Sequence, residues 1–220
     1  MIVHEFTGTE EHPIYQALTV DNGNRQYDFL RSIVAAALAM QRPYFSSTII
    51  RALNFHAIAC LHPYAGEYRP CEVKVGDDYQ PPPAFAVPSL MEDFINQVNH
   101  EWRKGDPLVL AAFVLWKLNL IHPFINGNGR TARAACYYVL CLKLGGWLKG
   151  EMILPEALRQ NHAEYVAAIK AVDASLATGQ FSLAPLHGLL QRLLMKQLEI
   201  EPDGAAEPEA STPPDNGDAA

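Results

Sequence analysis

The chain has 220 residues, nearly half of them apolar, enough for one globular domain with its own core. Its formal net charge of −7 is unevenly spread: residues 201–220 carry six acids and no base, and the remainder sets 17 basic against 18 acidic side chains. A near-neutral body argues against non-specific nucleic-acid binding, and four cysteines without C-x-x-C or zinc spacing argue against a metal module.

Residues 1–26 carry turn residues (Gly8, Pro13 and Asp21-Asn22-Gly23-Asn24) and little periodicity, and are expected to form an extended N-terminal arm lying on the domain. No basic segment followed by an apolar one is read here, so no leader is expected. From Asp28 the pattern turns helical, with Leu30, Ile33, Val34, Ala37 and Leu38 on one stripe, until Pro43. Ser46 or Ser47 can cap a second helix through Ile49, Ile50, Leu53, Phe55 and Ile58. Cys71-Glu72-Val73-Lys74-Val75 then alternates at period two, followed by Gly76-Asp77-Asp78 and Tyr79-Gln80. That pattern predicts a short β-hairpin, closed by Pro81-Pro82-Pro83 and leaning on helices or on a partner.

Ser89-x-x-Glu92 has capping-box form ahead of Leu90, Met91, Phe94, Ile95, Val98 and Trp102. Asp106-Pro107 starts a helix that is apolar almost all round and belongs at the centre of an all-α domain. Its apolar run, 108–120, is broken by Lys117 and Asn119 and reads as core, not as a membrane span. A further helix runs from Gly127–Arg130 to Gly145-Gly146, another opens at Pro155, and a last one covers about Ser182 to Leu198. Residues 201–220, rich in Pro, Ala, Glu and Asp, are expected to be an acidic disordered tail. The four cysteines are read as reduced thiols in a cytoplasmic protein, and His56, His62 and His100 as structural.

The segment His122-Pro123-Phe124-Ile125-Asn126-Gly127-Asn128-Gly129-Arg130-Thr131-Ala132-Arg133 lies between two helical runs. A glycine-rich loop that opens a helix suits anions, because free N–H groups and the helix dipole point the same way. Arg130 and Arg133 share one helix face and can fork onto phosphates. His122 is a candidate proton acceptor beside them. No Lys-Ser or Lys-Thr follows the glycines, so this is not a standard P-loop. Together the parts point to phosphoryl or nucleotidyl transfer.

The segment resembles the signature of Fic-domain proteins, H-P-F-x-(D/E)-G-N-G-R-x-x-R, at every fixed position but one. His62-Pro63-Tyr64, Gly66, Tyr68-Arg69, the hairpin segment and Val87-Pro88-Ser89-Leu90-Met91 are similar to the part of the family that precedes and includes its flap. The resemblance implies an all-α Fic-type helical bundle over residues 27–200, with a β-hairpin flap above the active site. It implies a protein nucleotidyltransferase that moves AMP from ATP, with Mg²⁺, onto a Ser, Thr or Tyr hydroxyl of a target protein. His122 would be the general base and Phe124 would hold the loop. Gly127, Asn128 and Gly129 would form the anion hole, Arg130 would steady the β-phosphate and Arg133 the γ-phosphate. Val73, Lys74 and Val75 would dock the target. Neither nucleic acid nor membrane is expected as a partner, whereas a separate antitoxin is compatible with the family pattern.

The departure is Asn126, where the family carries Asp or Glu as the Mg²⁺ ligand. It can serve as a neutral ligand, or only as a cap or turn residue. Two other readings therefore stay open: a different phosphate-containing donor (another nucleotide or a phosphocholine-like group), or a nucleotide-sensing module with weak catalysis. Thr7…Glu11 has the spacing of the family's inhibitory motif, but His12 and Pro13 follow it, so no inhibitory helix is expected in this chain.

Overall fold

The computed structural model describes residues 2–76 and 79–199, and the acidic tail at 201–220 lies outside the described residues. The helices are α1 (Val3–Thr7), α2 (Pro13–Ala39), α3 (Ser47–Ile58), α4 (Val87–Glu101), α5 (Pro107–Ile121), α6 (Asn128–Lys143), α7 (Leu154–Gln160), α8 (His162–Ala177) and α9 (Ala184–Gln197). A single 3-10 turn, Ala84–Ala86, leads into α4. The all-α expectation holds among the described residues.

The centre is α5 packed along α6. Asp106 caps α5, its carboxylate accepting from the Leu108 and Val109 amides at 2.9 and 3.0 Å, and Pro107 occupies the first turn, where a missing N–H costs nothing. From there α5 buries residues on every side, among them Leu110, Ala112, Val114, Leu115, Trp116 and Ile121. Beside it α6 buries an unbroken run from Ala134 to Leu142. Helices α2, α3, α4 and α9 close around this pair. The loop between α5 and α6 is therefore fixed at both ends by the most deeply buried part of the molecule.

Residues 1–26 are not an extended arm: α1 is a short helix, and α2 begins at Pro13 instead of Asp28. His12 caps α2, its Nδ1 accepting from the Ile14 amide at 3.2 Å. The Asn22-Gly23-Asn24 stretch stays helical because tertiary bonds hold it. The buried Asn22 amide donates to the Ala59 carbonyl at 2.8 Å, and Gln26 donates to the Leu53 carbonyl at 2.8 Å. Helix α1 is tied down by the Val3 amide on the Cys60 carbonyl at 2.8 Å and by Val3 packing with Tyr15, Ile58 and Leu61. Asn22→Ala is expected to lower stability by about 1–3 kcal/mol, since it strands the Ala59 carbonyl. The better helix propensity of alanine returns at most about 0.7 kcal/mol of that loss. Thermal or urea unfolding checks it; an unchanged midpoint would show that the bond is not what keeps residues 21–24 helical.

The β-hairpin expected at 71–80 is not shown as a pair of strands. Only one antiparallel bridge forms, Val75 with Tyr79, and no strand is present among the described residues. Asp77 and Asp78 lie outside them. Side chains pin the loop where a ladder was expected. Ala84 donates to Glu72 Oε1 at 2.8 Å, Gln80 to the Val73 carbonyl at 3.1 Å, and the Tyr79 hydroxyl to the Leu120 carbonyl. Two other boundaries differ. Helix α4 starts at Val87, so Ser89 falls inside its first turn and no capping box forms. The helix expected from Pro155 is split at Asn161, whose amide turns back to the Ala157 carbonyl at 2.8 Å and competes with the helix ladder.

Candidate active site

Helix α5 ends on His122, which holds φ 50° and ψ 60°, a left-handed conformation uncommon for a residue with a side chain. The turn points the chain into the 123–127 loop and back into α6. Phe124 is fully buried and lies 5.7 Å from the Tyr68 ring. Asn128 fixes the loop from within. Its Oδ1 accepts from the Phe124 amide at 2.9 Å and its Nδ2 donates to the Phe124 carbonyl at 2.8 Å. The Asn128 side chain thus braces the loop, and what it can offer an anion is its backbone at the start of α6.

Two glycines there differ in purpose. Gly127 has φ 77°, and a β-carbon on it would meet Ile58 Cγ2 at 2.8 Å and Asn54 Nδ2 at 3.0 Å. It is glycine because the loop is pressed against α3. A β-carbon on Gly129 would meet only the Arg133 guanidinium, at 3.2 Å. It is glycine at the point where α6 opens into a cleft. That cleft, about 420 Å³, is lined by His122, Ile125, Asn126, Gly127, Asn128, Gly129, Arg130 and Arg133. The structure brings together every signature residue proposed for catalysis, phosphates and metal. Val73, Lys74 and Val75 lie on the separate 71–80 loop, which Tyr79 ties to α5 two residues before His122.

The two arginines are held differently. Arg130 donates to the Ala57 carbonyl at 2.8 Å and to Asn126 Oδ1 at 3.2 Å, so its guanidinium is already oriented. Arg133 Nε is buried and finds no hydrogen-bond partner among the described residues. A buried donor left unpaired beside an open cleft is what a bound anion would satisfy.

Burial holds His122 down to a pKa of about 4, and the positive charge of Arg69 acts in the same direction; a hydrogen bond with the Asn119 backbone pulls the other way. The imidazole is therefore neutral at pH 7 and able to accept a proton. The folded value lies below the ordinary 6.5, so the unfolded chain takes up the proton first and stability falls as pH drops from about 6.5 toward 4. In nucleotide-free protein the His122 ring resonances are expected to stay constant from pH 8 to about 5. An NMR titration with a midpoint near 6.5 would refute the neutral, partly buried ring.

Three residues that support the site are not legible as such in the sequence. Arg69, only 2% exposed, donates through Nε to the His122 carbonyl at 2.8 Å, and also to the Cys71 and Pro82 carbonyls. Its amide donates to the Pro123 carbonyl at 2.8 Å. It ties the histidine's backbone to the base of the 71–80 loop. Asn54 donates to the Asn126 carbonyl at 2.9 Å and to Thr131 Oγ1 at 3.2 Å, and accepts from the Gly66 amide at 2.9 Å. Glu10 accepts from Asn126 Nδ2 at 2.8 Å. Glu11, at the inhibitory-motif spacing, instead turns its amide to Thr9 Oγ1 at 3.2 Å.

The donor set for a cation can be tested on the same geometry. Asn126 alone is a neutral amide whose oxygen faces a guanidinium, a poor seat for a divalent ion. Glu10 beside it adds a charged oxygen, while Asn126 turns Nδ2 to Glu10 and its oxygen to Arg130; with that amide reversed the two oxygens would suit Mg²⁺, phosphates and water completing its shell. No group of three or more His, Cys, Asp or Glu side chains is placed to hold a metal ion among the described residues. Likewise no helix among them is long and apolar enough to cross a membrane.

Residues 44–140 match the model of the Fic/DOC family. Protein adenylyltransferase fic-1 of Caenorhabditis briggsae is 37% identical over 112 residues, 50% of this chain and 20% of that protein. Protein adenylyltransferase Fic of Drosophila willistoni is 44% identical over 70 residues, 31% of this chain and 14% of that protein. The chain thus spans about a fifth or less of the length of these curated relatives. A Fic domain containing signaling protein from Bacteroides thetaiotaomicron has the same fold, with a TM-score of 0.66 at 21% identity over 83% of this chain and 71% of that one.

Proposed function

This chain is a Fic-domain protein, and on that premise we propose that it is a protein nucleotidyltransferase moving AMP from ATP onto a Ser, Thr or Tyr hydroxyl of a target protein. The observation that carries the reading is the pairing of a neutral, partly buried His122 with an Arg133 Nε that has no partner among the described residues, across one helix-start cradle. A base with no anion site would serve many reactions; this pairing suits attack at phosphorus.

In this reading the free N–H groups at the start of α6 and the two guanidinium groups hold the triphosphate, with Arg130 on the β-phosphate and Arg133 on the γ-phosphate. The target hydroxyl meets the imidazole of His122, which takes its proton. The hydroxyl oxygen forms a bond to the α-phosphorus as the bond from phosphorus to the bridging oxygen breaks, and pyrophosphate leaves with that electron pair. Such a displacement needs positioning and charge stabilisation more than covalent help. The backbone donors are held rigid by Asn128, Asn54 and Arg69 before the substrate arrives. Mg²⁺ beside Asn126, when bound, would offset phosphate charge. Val73, Lys74 and Val75 would dock an extended segment of the target, and a separate antitoxin could bear on the same cleft.

Asn126 is the observation that favours a second reading: with a neutral residue at that position, the donor would be another nucleotide or phosphocholine-like compound, or the site would sense nucleotide with little turnover. Incubating the protein with each labelled nucleoside triphosphate, and with a labelled phosphocholine donor, separates these. Label from ATP on protein hydroxyls supports AMP transfer. Label only from another donor supports the second reading, and nucleotide binding without any label supports a sensor.

A further inference from the structure

Glu10 stands in the turn between α1 and α2, 116 residues before Asn126, yet the two side chains meet at 2.8 Å. The turn that carries it is built, not loose. Gln16 donates to the Glu10 carbonyl at 2.6 Å, and Thr7 Oγ1 donates to the Thr9 carbonyl at 3.1 Å. The Tyr15 hydroxyl completes the group, facing Glu10 and Asn126, with Arg130 close by.

The arrangement is electrostatically odd for a phosphate cradle. Free backbone N–H groups, Arg130 and Arg133 invite negative charge, and a carboxylate is set at their rim. A carboxylate and a phosphate at close range repel, and the repulsion grows as water is displaced. A divalent cation between them reverses the sign, since Mg²⁺ is typically held by one or two carboxylates together with substrate phosphates. The loop residue that would carry that carboxylate is the neutral Asn126, and the carboxylate that touches it arrives from the N-terminal segment.

We propose that Glu10 is the charged ligand of a divalent-cation site shared between the N-terminal segment and the α5–α6 loop, with Asn126 supplying a neutral amide oxygen beside it. Binding requires the Asn126 amide to turn its oxygen from Arg130 toward Glu10, a half-turn of the side-chain amide. The proposal rests on the nucleotide-cradle reading and assigns it a ligand that a contiguous motif cannot contain. It also explains why α1 and the α1–α2 turn are pinned to the domain, since together they hold an exposed carboxylate at a fixed place over the loop.

The test uses the full chain, Mn²⁺ as the probe, and an ATP analogue with a non-cleavable α,β linkage. Mn²⁺ affinity of the analogue-loaded protein is read by electron paramagnetic resonance, and analogue affinity is read by calorimetry in Mn²⁺ and in EDTA. E10Q is expected to weaken Mn²⁺ binding by about tenfold or more, in line with the loss of a charged ligand. It is expected to bind the analogue in EDTA at least as well as wild type, because a repelling charge is gone. Adding N126D to E10Q is expected to restore Mn²⁺ binding by placing the carboxylate in the loop. Glu10 is exposed, so the variants should keep the wild-type melting temperature. Equal Mn²⁺ affinity in wild type and E10Q overturns the proposal. So does an E10Q protein that binds the analogue more tightly by the same factor with and without Mn²⁺, since Glu10 would then merely compete with phosphate. If wild type binds the analogue under neither condition, the cradle reading itself fails, and this proposal with it.

Discussion

His122→Ala is expected to lower transfer by about 10²–10⁴-fold, the usual worth of a general base, while nucleotide affinity stays nearly unchanged. The separation follows from the geometry. His122 closes α5, and its side chain lines the cleft beside the cradle, but the backbone donors and arginines proposed for the phosphates come from α6. Position 122 sits at φ 50°, so alanine there carries strain that could lower activity by disturbing the loop. His122→Asn is the better partner experiment. Asparagine tolerates the left-handed region and cannot act as the base. Both variants should bind nucleotide like wild type and fail to transfer. Transfer by His122→Asn at the wild-type rate would remove the histidine from the base role, and a matching loss of nucleotide binding would make its contribution structural.

The parts of this site that are readable from the sequence are those in which neighbours in sequence are neighbours in function. The cap at Asp106, the apolar run of α5, the break at His122 and the glycines before α6 lie within one stretch, and each acts through backbone geometry that local residue types dictate. The start of helix α2 is hidden for the opposite reason. Asn22, Gly23 and Asn24 favour a turn on their own, and only bonds to Ala59 and Leu53, made by Asn22 and Gln26, keep them helical. Strands are not seen on either side of the Val75–Tyr79 bridge among the described residues, because alternation favours a strand but does not supply the partner. Tyr79, Glu72 and Gln80 spend their polar atoms on pinning the loop to the body and to itself.

The supporting residues are hidden by distance along the chain. Arg69 meets His122 across 53 residues, Asn54 meets Asn126 across 72, and Glu10 meets Asn126 across 116. An arginine beside a proline, an asparagine on a helix and a glutamate in a turn are ordinary surface choices. The nearest signal is negative: a neutral residue stands where the resemblance calls for an acid, and a missing charge at a proposed cation site is a reason to search the rest of the chain for it. The signal for Arg69 is its place in Gly66-Glu67-Tyr68-Arg69, which marks the family likeness but does not reveal a clamp.

Arg133→Ala should weaken ATP binding by about 10- to 150-fold while changing AMP binding little, since a charge-assisted hydrogen bond contributes about 1.5–3 kcal/mol. The asymmetry between the two nucleotides is what identifies the contact. Arg130 is tethered to Ala57 and Asn126, whereas Arg133 Nε is buried beside the cleft without a partner among the described residues, so the largest gain on binding a terminal phosphate falls to Arg133. AMP has no γ-phosphate and cannot collect that gain. Tyr27, Tyr165 and Glu156 lie within electrostatic reach of Arg133, and alanine could loosen their packing, so Arg133→Lys belongs beside it. Lysine keeps the charge but loses the planar fork. It should recover part of the ATP affinity if charge is what counts, and little if the forked geometry is. Calorimetry with ATP, ADP and AMP on all three proteins resolves the contributions phosphate by phosphate. Equal losses for ATP and AMP in Arg133→Ala would take the γ-phosphate away from Arg133 and leave its buried donor to a different group in the cleft.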